Sequence, residues 1–165
     1  IDVDDIPALH NSVTLNLTLK LTADTLTLQL DCAEPMLQQA ALHSYFAVPS
    51  LSDTRVSPLP DAYLDKTLGG ERVQSTEPLR FEREIDRVYP KPAAELLLQS
   101  GAQQLNISQQ GQDATVVWNP WRERSKTLPD LAENSYQQFV CVETAKLDLD
   151  QPAALQLSQR LTSLT

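Results

Sequence analysis

Between Val13 and Leu30 the sequence alternates apolar and polar residues with a period of two. Val13, Leu15, Leu17 and Leu19 point one way, and Thr14, Asn16, Thr18 and Lys20 the other, the pattern of a strand with one solvated face. Ala23, Asp24 and Thr25 interrupt the alternation, and Leu26, Leu28 and Leu30 resume it. So short a polar break joins antiparallel strands, because parallel neighbours need a crossover of about a dozen residues or more. An amphipathic helix would repeat its apolar residues three and four apart, and these do not recur at that spacing.

The same signal recurs downstream. Gln39 to Val48 is a third candidate strand, stopped by Pro49. Ser50 to Gly70 reads as irregular, since Pro58, Pro60, Asp61, Gly69 and Gly70 form turns and loops, with room for a short strand around Arg55 and Val56. Leu79 to Val88 predicts another strand, with Phe81, Arg83, Ile85 and Arg87 on one side and Arg80, Glu82, Glu84 and Asp86 on the other. Beyond Pro90 and Pro92, Ala94 to Leu98 fits a strand or a single helical turn. Leu105 to Ser108 and Ala114 to Trp118 read as strands joined through a connection containing Gly111. Arg122 to Asn134 reads as a loop with one turn of helix, and Tyr136 to Thr144 and Leu155 to Leu161 complete the series. Roughly seven to ten strands joined by turns predict an all-β fold, an antiparallel β-sandwich. No Gly-rich phosphate loop or dinucleotide fingerprint accompanies them.

A chain of 165 residues buries roughly two thirds of its unfolded surface, enough for one core without disulfides or a structural metal. Its net charge of −9 argues against a nucleic-acid partner, whose phosphates need a positive surface. It does not argue against a phosphorylated metabolite, which a few gathered arginines can hold. No apolar run approaches the roughly 18 residues that cross a bilayer, and neither a membrane nor a secretory signal is expected. Cys32 and Cys141 are far apart without CxxC spacing, so they read as free thiols of a reducing, cytoplasmic compartment, a single disulfide being the alternative. The first residue is Ile1, from which the chain is expected to be part of a longer polypeptide.

Two ionisable residues sit inside segments otherwise made for burial. In Phe139-Val140-Cys141-Val142-Glu143 the strand period puts Phe139, Cys141 and Glu143 on one face and Val140 and Val142 on the other. A carboxylate on a covered sheet is costly unless paired or used, and burial would raise its pKa toward that of a general base. The residues equally allow Glu143 to lie at a frayed strand end, in water or bridged to Lys146. His43 shares a face with Ala41 and Tyr45, and histidine moves its proton near neutral pH; a structural histidine is the alternative. Asp86 faces with Glu84, as a hydroxyl acceptor or as part of a rim of surface ion pairs. Trp118 and Trp121 bracket a turn that could bring an indole to a cavity edge. Ser44 adjoins His43 but faces away, Cys141 lacks a nucleophile motif, and the scattered carboxylates fall short of a zinc set. His10 has no setting that assigns it a role.

Leu42-His43-Ser44-Tyr45-Phe46, Tyr63-Leu64-Asp65, Glu84-Ile85-Asp86-Arg87-Val88-Tyr89, Val116-Val117-Trp118-Asn119-Pro120-Trp121 and Phe139-Val140-Cys141-Val142-Glu143 occur in the order seen in the hexose-6-phosphate mutarotases. The chain thus resembles the glucose-6-phosphate 1-epimerase branch of the aldose 1-epimerase, or galactose mutarotase-like, superfamily. The resemblance implies a galactose mutarotase-type β-sandwich with the sugar over one concave sheet, residues 1–165 forming the C-terminal portion of a single domain. It implies His43 as general acid, Glu143 as general base and Asp86 as the residue holding sugar hydroxyls, with a sugar or sugar phosphate as ligand and no metal or organic cofactor. The family is considerably longer, and its remainder carries another active-site histidine and the basic residues expected at the phosphate. Without them the incomplete sandwich would bind substrate poorly and be open to self-association. A non-catalytic carbohydrate-binding or regulatory β-sandwich is the competing expectation.

Overall fold

The structure, a computed structural model, describes residues 13–132 and 134–164; His10 lies outside them. Twelve strands are present among these residues: β1 (Asn16–Leu21), β2 (Thr25–Met36), β3 (Ala40–Ala47), β4 (Thr54–Ser57), β5 (Ala62–Asp65), β6 (Glu71–Gln74), β7 (Ile85–Pro90), β8 (Glu95–Ser100), β9 (Gln103–Gln110), β10 (Ala114–Asn119), β11 (Phe139–Lys146) and β12 (Ala153–Ser163). One short helix, α1 (Trp121–Ser125), follows β10. The strands form two antiparallel six-stranded sheets, ordered β1-β2-β12-β9-β8-β4 and β3-β11-β10-β7-β5-β6, packed as a sandwich.

The main core lies between the sheets, where strand alternation aims Phe46, Ile85, Leu96, Ile107, Val117 and Val142 at one another. Cys32 and Cys141 are separate free thiols, both buried. Among the described residues no helix is long and apolar enough to cross a membrane.

Two sequence expectations need correction. The strand predicted from Leu79 begins only at Ile85. Its partner β10 ends at Asn119, which pairs with Ile85, and Pro120 cannot extend the ladder because it has no N–H to donate. Residues 79–84 therefore run without a strand partner, yet Leu79 and Phe81 still plug the core. Within Ser50 to Gly70, expected to be irregular, β5 forms and pairs as a hairpin with β6 just beyond that segment, Tyr63 opposite Val73. Its turn carries Gly69 and Gly70 at positive φ, the left-handed conformation that glycine adopts without steric cost.

The leucine alternation that opens the sequence is seen, but only part of it is buried. Leu17, Leu19 and Leu21 stand opposite Leu30, Leu28 and Leu26, in rows that continue to Leu157 and Leu161 of β12. Leu157 is fully buried, whereas Leu17, Leu19 and Leu21 are 56%, 62% and 77% exposed. The second sheet ends at β3, and no described strand lies over β1.

Candidate active site

Antiparallel pairing of β3 with β11 places His43 directly opposite Glu143, and opposite residues in such a ladder project from the same face. His43 Nε2 lies 3.1 Å from Glu143 Oε1. Val140 and Val142 point into the core and are fully buried, so the pair occupies the outer face of the second sheet. That face is sheltered, because every residue from Phe139 to Ala145 is buried. The Glu143 side chain is 10% exposed and that of His43 44%. Glu143 thus sits at the floor and His43 at the opening.

Burial disfavours the charged form of Glu143, and the nearby Asp86 carboxylate disfavours it further, so its pKa is pushed up to about 7. Lys146, the alternative partner considered from sequence, instead donates to Asp113 Oδ2 at 2.6 Å. The strand is intact through Glu143 rather than frayed.

Around the pair, register assembles a wall. Trp118 lies opposite Cys141 on one side and Asp86 on the other. The His43 ring stacks on Tyr45 at 5.0 Å and meets Trp118 edge-on at 6.0 Å. Phe139 lies behind, 5.1 Å from Tyr45 and 5.9 Å from Trp118. Val88, Ala114 and Ala145 form a small buried apolar cluster on the same outer face, beside Glu143. Asp86 is half-buried; burial raises its pKa, against the pull of Lys66 and Arg124. Cys141 shares the face but is fully buried, and burial holds its thiol far above the usual value, so it lacks the thiolate a nucleophile needs.

The opposite alternation holds for Arg87. Its guanidinium lies 4.3 Å over the Tyr63 ring and its Nε 3.8 Å from Asp65, away from the pair. Asp65, 2% exposed, also accepts hydrogen bonds from the N–H and hydroxyl of Thr67. Asn119 is a fully buried clamp. Its Nδ2 donates to the carbonyls of Tyr136 and Phe139, and its Oδ1 accepts from the Trp121 N–H. The two tryptophans divide as the turn between them requires, Trp118 on the site face and Trp121 packed on Tyr136 at 5.4 Å.

Residues 3–156 match the family model described as aldose 1-epimerase. The chain belongs to the aldose 1-epimerase family. A Salmonella typhimurium protein provisionally named glucose-6-phosphate 1-epimerase is 29% identical to this chain over 140 residues, 83% of the chain and 48% of that protein. A Cenchrus ciliaris protein with the same provisional name is 30% identical over 112 residues, 66% of the chain and 34% of that protein. A solved Salmonella typhimurium structure, provisionally called a mutarotase, superposes with a TM-score of 0.87 at 26% identity, covering 94% of this chain and 55% of its own. The chain spans about half the length of the curated relatives it matches.

The three site residues singled out from sequence, His43, Glu143 and Asp86, share one face of one sheet. Among the described residues no cluster of three or more His, Cys, Asp or Glu side chains could hold a metal ion. The aromatic wall of Tyr45, Trp118 and Phe139 was not assigned as a unit, although alternation in three strands puts each on this face. Lys66 and Arg124 were missed because each follows the end of a strand, β5 or β10, where no periodicity marks them.

Proposed function

We propose that the protein containing this chain interconverts the α and β anomers of an aldose, glucose 6-phosphate or a related hexose 6-phosphate, by acid–base ring opening and closure. The observation that supports this best is the His43–Glu143 contact of 3.1 Å, reachable from solvent on the His43 side, with the carboxyl pushed up to about 7. Opening a cyclic hemiacetal removes a proton from the C1 hydroxyl and delivers one to the ring oxygen. Both oxygens are bonded to C1, so acid and base must come from neighbouring atoms.

In this reading the Glu143 carboxylate takes the C1 hydroxyl proton while the C1–ring oxygen bond breaks. The His43 imidazolium protonates the departing oxygen. Rotation about C1–C2 turns the other face of the aldehyde toward the hydroxyl. On closure His43 takes back the hydroxyl proton and Glu143 returns its own to the carbonyl oxygen, so both residues regain their starting states. A base with a pKa near 7 is matched to this exchange at neutral pH. Asp86 accepts hydrogen bonds from ring hydroxyls, and the exposed Tyr45 ring with Trp118 offers apolar faces to the sugar. The family's cofactor-free chemistry is carried over with these roles, and the free thiols of Cys32 and Cys141 support action in the reducing cytoplasm.

The test is proton NMR of anomer exchange, starting from freshly dissolved α-glucose 6-phosphate with the full polypeptide that contains this chain. Acceleration is expected, with Glu143→Gln and His43→Asn each reducing it by roughly 100-fold or more. Acceleration unchanged in both variants overturns the reading. Sugar binding without exchange in the unaltered protein identifies a carbohydrate-binding sandwich instead.

A further inference from the structure

Behind the candidate site a polar layer crosses the middle of the apolar sandwich. Gln159 of β12 and Gln109 of β9 are opposite neighbours in the first sheet, at 0% and 2% exposure. Facing them from the second sheet are Thr144 and Thr115, themselves cross-strand partners, and Ser44 of β3. Gln159 Nε2 donates to the Val142 carbonyl and to Thr144 Oγ1, each at 3.0 Å. Its Oε1 accepts from Ser44 Oγ at 2.5 Å. Thr144 and Thr115 donate hydroxyl hydrogen bonds to Gln109 Oε1, each at 3.0 Å, and Gln109 Nε2 donates to the Ala93 carbonyl at 3.1 Å.

The direction of every bond is fixed. The Val142 carbonyl can only accept, so the amide nitrogen of Gln159 must face it and the amide oxygen must face Ser44. A flipped amide would set two acceptors against each other in a dry interior, which is costly. The layer therefore fixes the orientation of both glutamine amides.

Its location gives it a second consequence. Ser44 follows His43 in β3, and Val142 and Thr144 flank Glu143 in β11. One side chain from the opposite sheet thus grips both strands beneath the rung that carries the acid and the base. We propose that Gln159 is a positioning residue that sets the separation and orientation of His43 and Glu143 by clamping β3 to β11 through Ser44, Val142 and Thr144. The inference rests on the acid–base reading of that pair. Gln159 touches neither side chain of the pair and acts only through the strands beneath it. A packing role alone would have been served by an apolar residue, as Leu155 and Leu157 serve the same face of β12.

The experiment compares Gln159→Met, which keeps much of the volume and loses the amide, with Ser44→Ala, which deletes only the link to β3. The control is Thr54→Val, which breaks a fully buried hydroxyl pair with Ser100 on β4, at the far edge of the first sheet. Two quantities are read: the Glu143 carboxyl carbon titration by 13C NMR, and the pH profile of anomer exchange. Gln159→Met and Ser44→Ala are expected to move the Glu143 midpoint by about half a pH unit or more and to lower kcat about tenfold with KM nearly unchanged. Thr54→Val is expected to lower stability and leave both readouts in place. If the two site variants fold and lose stability like Thr54→Val while midpoint and kcat stay at their unaltered values, the inference is overturned. Should Gln159→Met fail to fold, Ser44→Ala decides by the same criteria. An unaltered protein with no exchange activity overturns the anomer reading instead, and the titration still judges Gln159.

Discussion

Glu143 stands across the β3–β11 ladder from His43, its Oε1 3.1 Å from Nε2, while Asp86 adds a negative charge from two strands away. A general base works only when deprotonated, so anomer exchange should rise with pH along an acid limb centred near 7, the value to which the Glu143 carboxyl is pushed. The Asp86 charge contributes to that elevation. Asp86→Asn should therefore move the limb to lower pH while raising KM through the lost hydroxyl acceptor. A pH series of kcat/KM on both proteins checks the direction, and a limb that moves upward contradicts the placement.

The same elevation has a stability signature. A carboxyl whose folded pKa exceeds its unfolded one binds its proton more tightly when folded, so its contribution to stability falls as pH rises from 4.5, the ordinary value, through about 7. Replacing it by a neutral amide removes that loss. Glu143→Gln should be more stable than the unaltered protein by about 3 kcal/mol at pH 8, with this charge-dependent advantage vanishing below pH ~4.5. Urea unfolding at pH 8 and pH 4 measures the difference directly.

The placement of His43, Glu143 and Asp86 was legible because strand alternation is a local property: once Val140 and Val142 are known to be buried, the side of Glu143 follows. Pairing partners are not local. That His43 would face Glu143 depends on β3 lying beside β11, across the 91 residues from Val48 to Gln138, no part of which encodes the contact by period. The missed start of β7 has the same origin, since residues 79–84 alternate as a strand should but β10 ends at Asn119. Gln159 carried a readable signal. It interrupts the apolar series Leu155, Leu157 and Leu161 on the covered face of β12, and a polar residue in such a series is either an error or a bonded one.

Asn119 links the end of β10 to the start of β11 and to α1 through three hydrogen bonds of 2.8 to 3.0 Å. Asn119→Ala would leave two carbonyls and one N–H buried without partners. The expected cost is about 3 kcal/mol, read from the midpoint of chemical denaturation, and a loss below ~1 kcal/mol would show that water replaces the clamp.

Leu157 and Leu19 lie in neighbouring rows of the same sheet face but differ in what covers them. In this chain alone, Leu157→Ala should cost about 3 kcal/mol through the cavity it leaves, and Leu19→Ala no more than about 0.5 kcal/mol. A large cost at Leu19 would mean that its row is covered, by another copy or by further polypeptide. Denaturation at two protein concentrations separates these cases, because only association makes stability concentration-dependent.

The position of β12 carries a consequence for the order of events during synthesis. It is the last strand in sequence among the described residues, yet it lies between β2 and β9 in the interior of its sheet. Until Ala153–Ser163 has left the ribosome, β2 and β9 have nothing between them, and the glutamine that braces the candidate site has not arrived. Closure of that gap spans more than a hundred residues of intervening chain, an arrangement that slows folding and leaves strand edges open meanwhile. The His43–Glu143 geometry can therefore be completed only once β12 has been made, and until then a nascent chain would benefit from protection of its waiting edges.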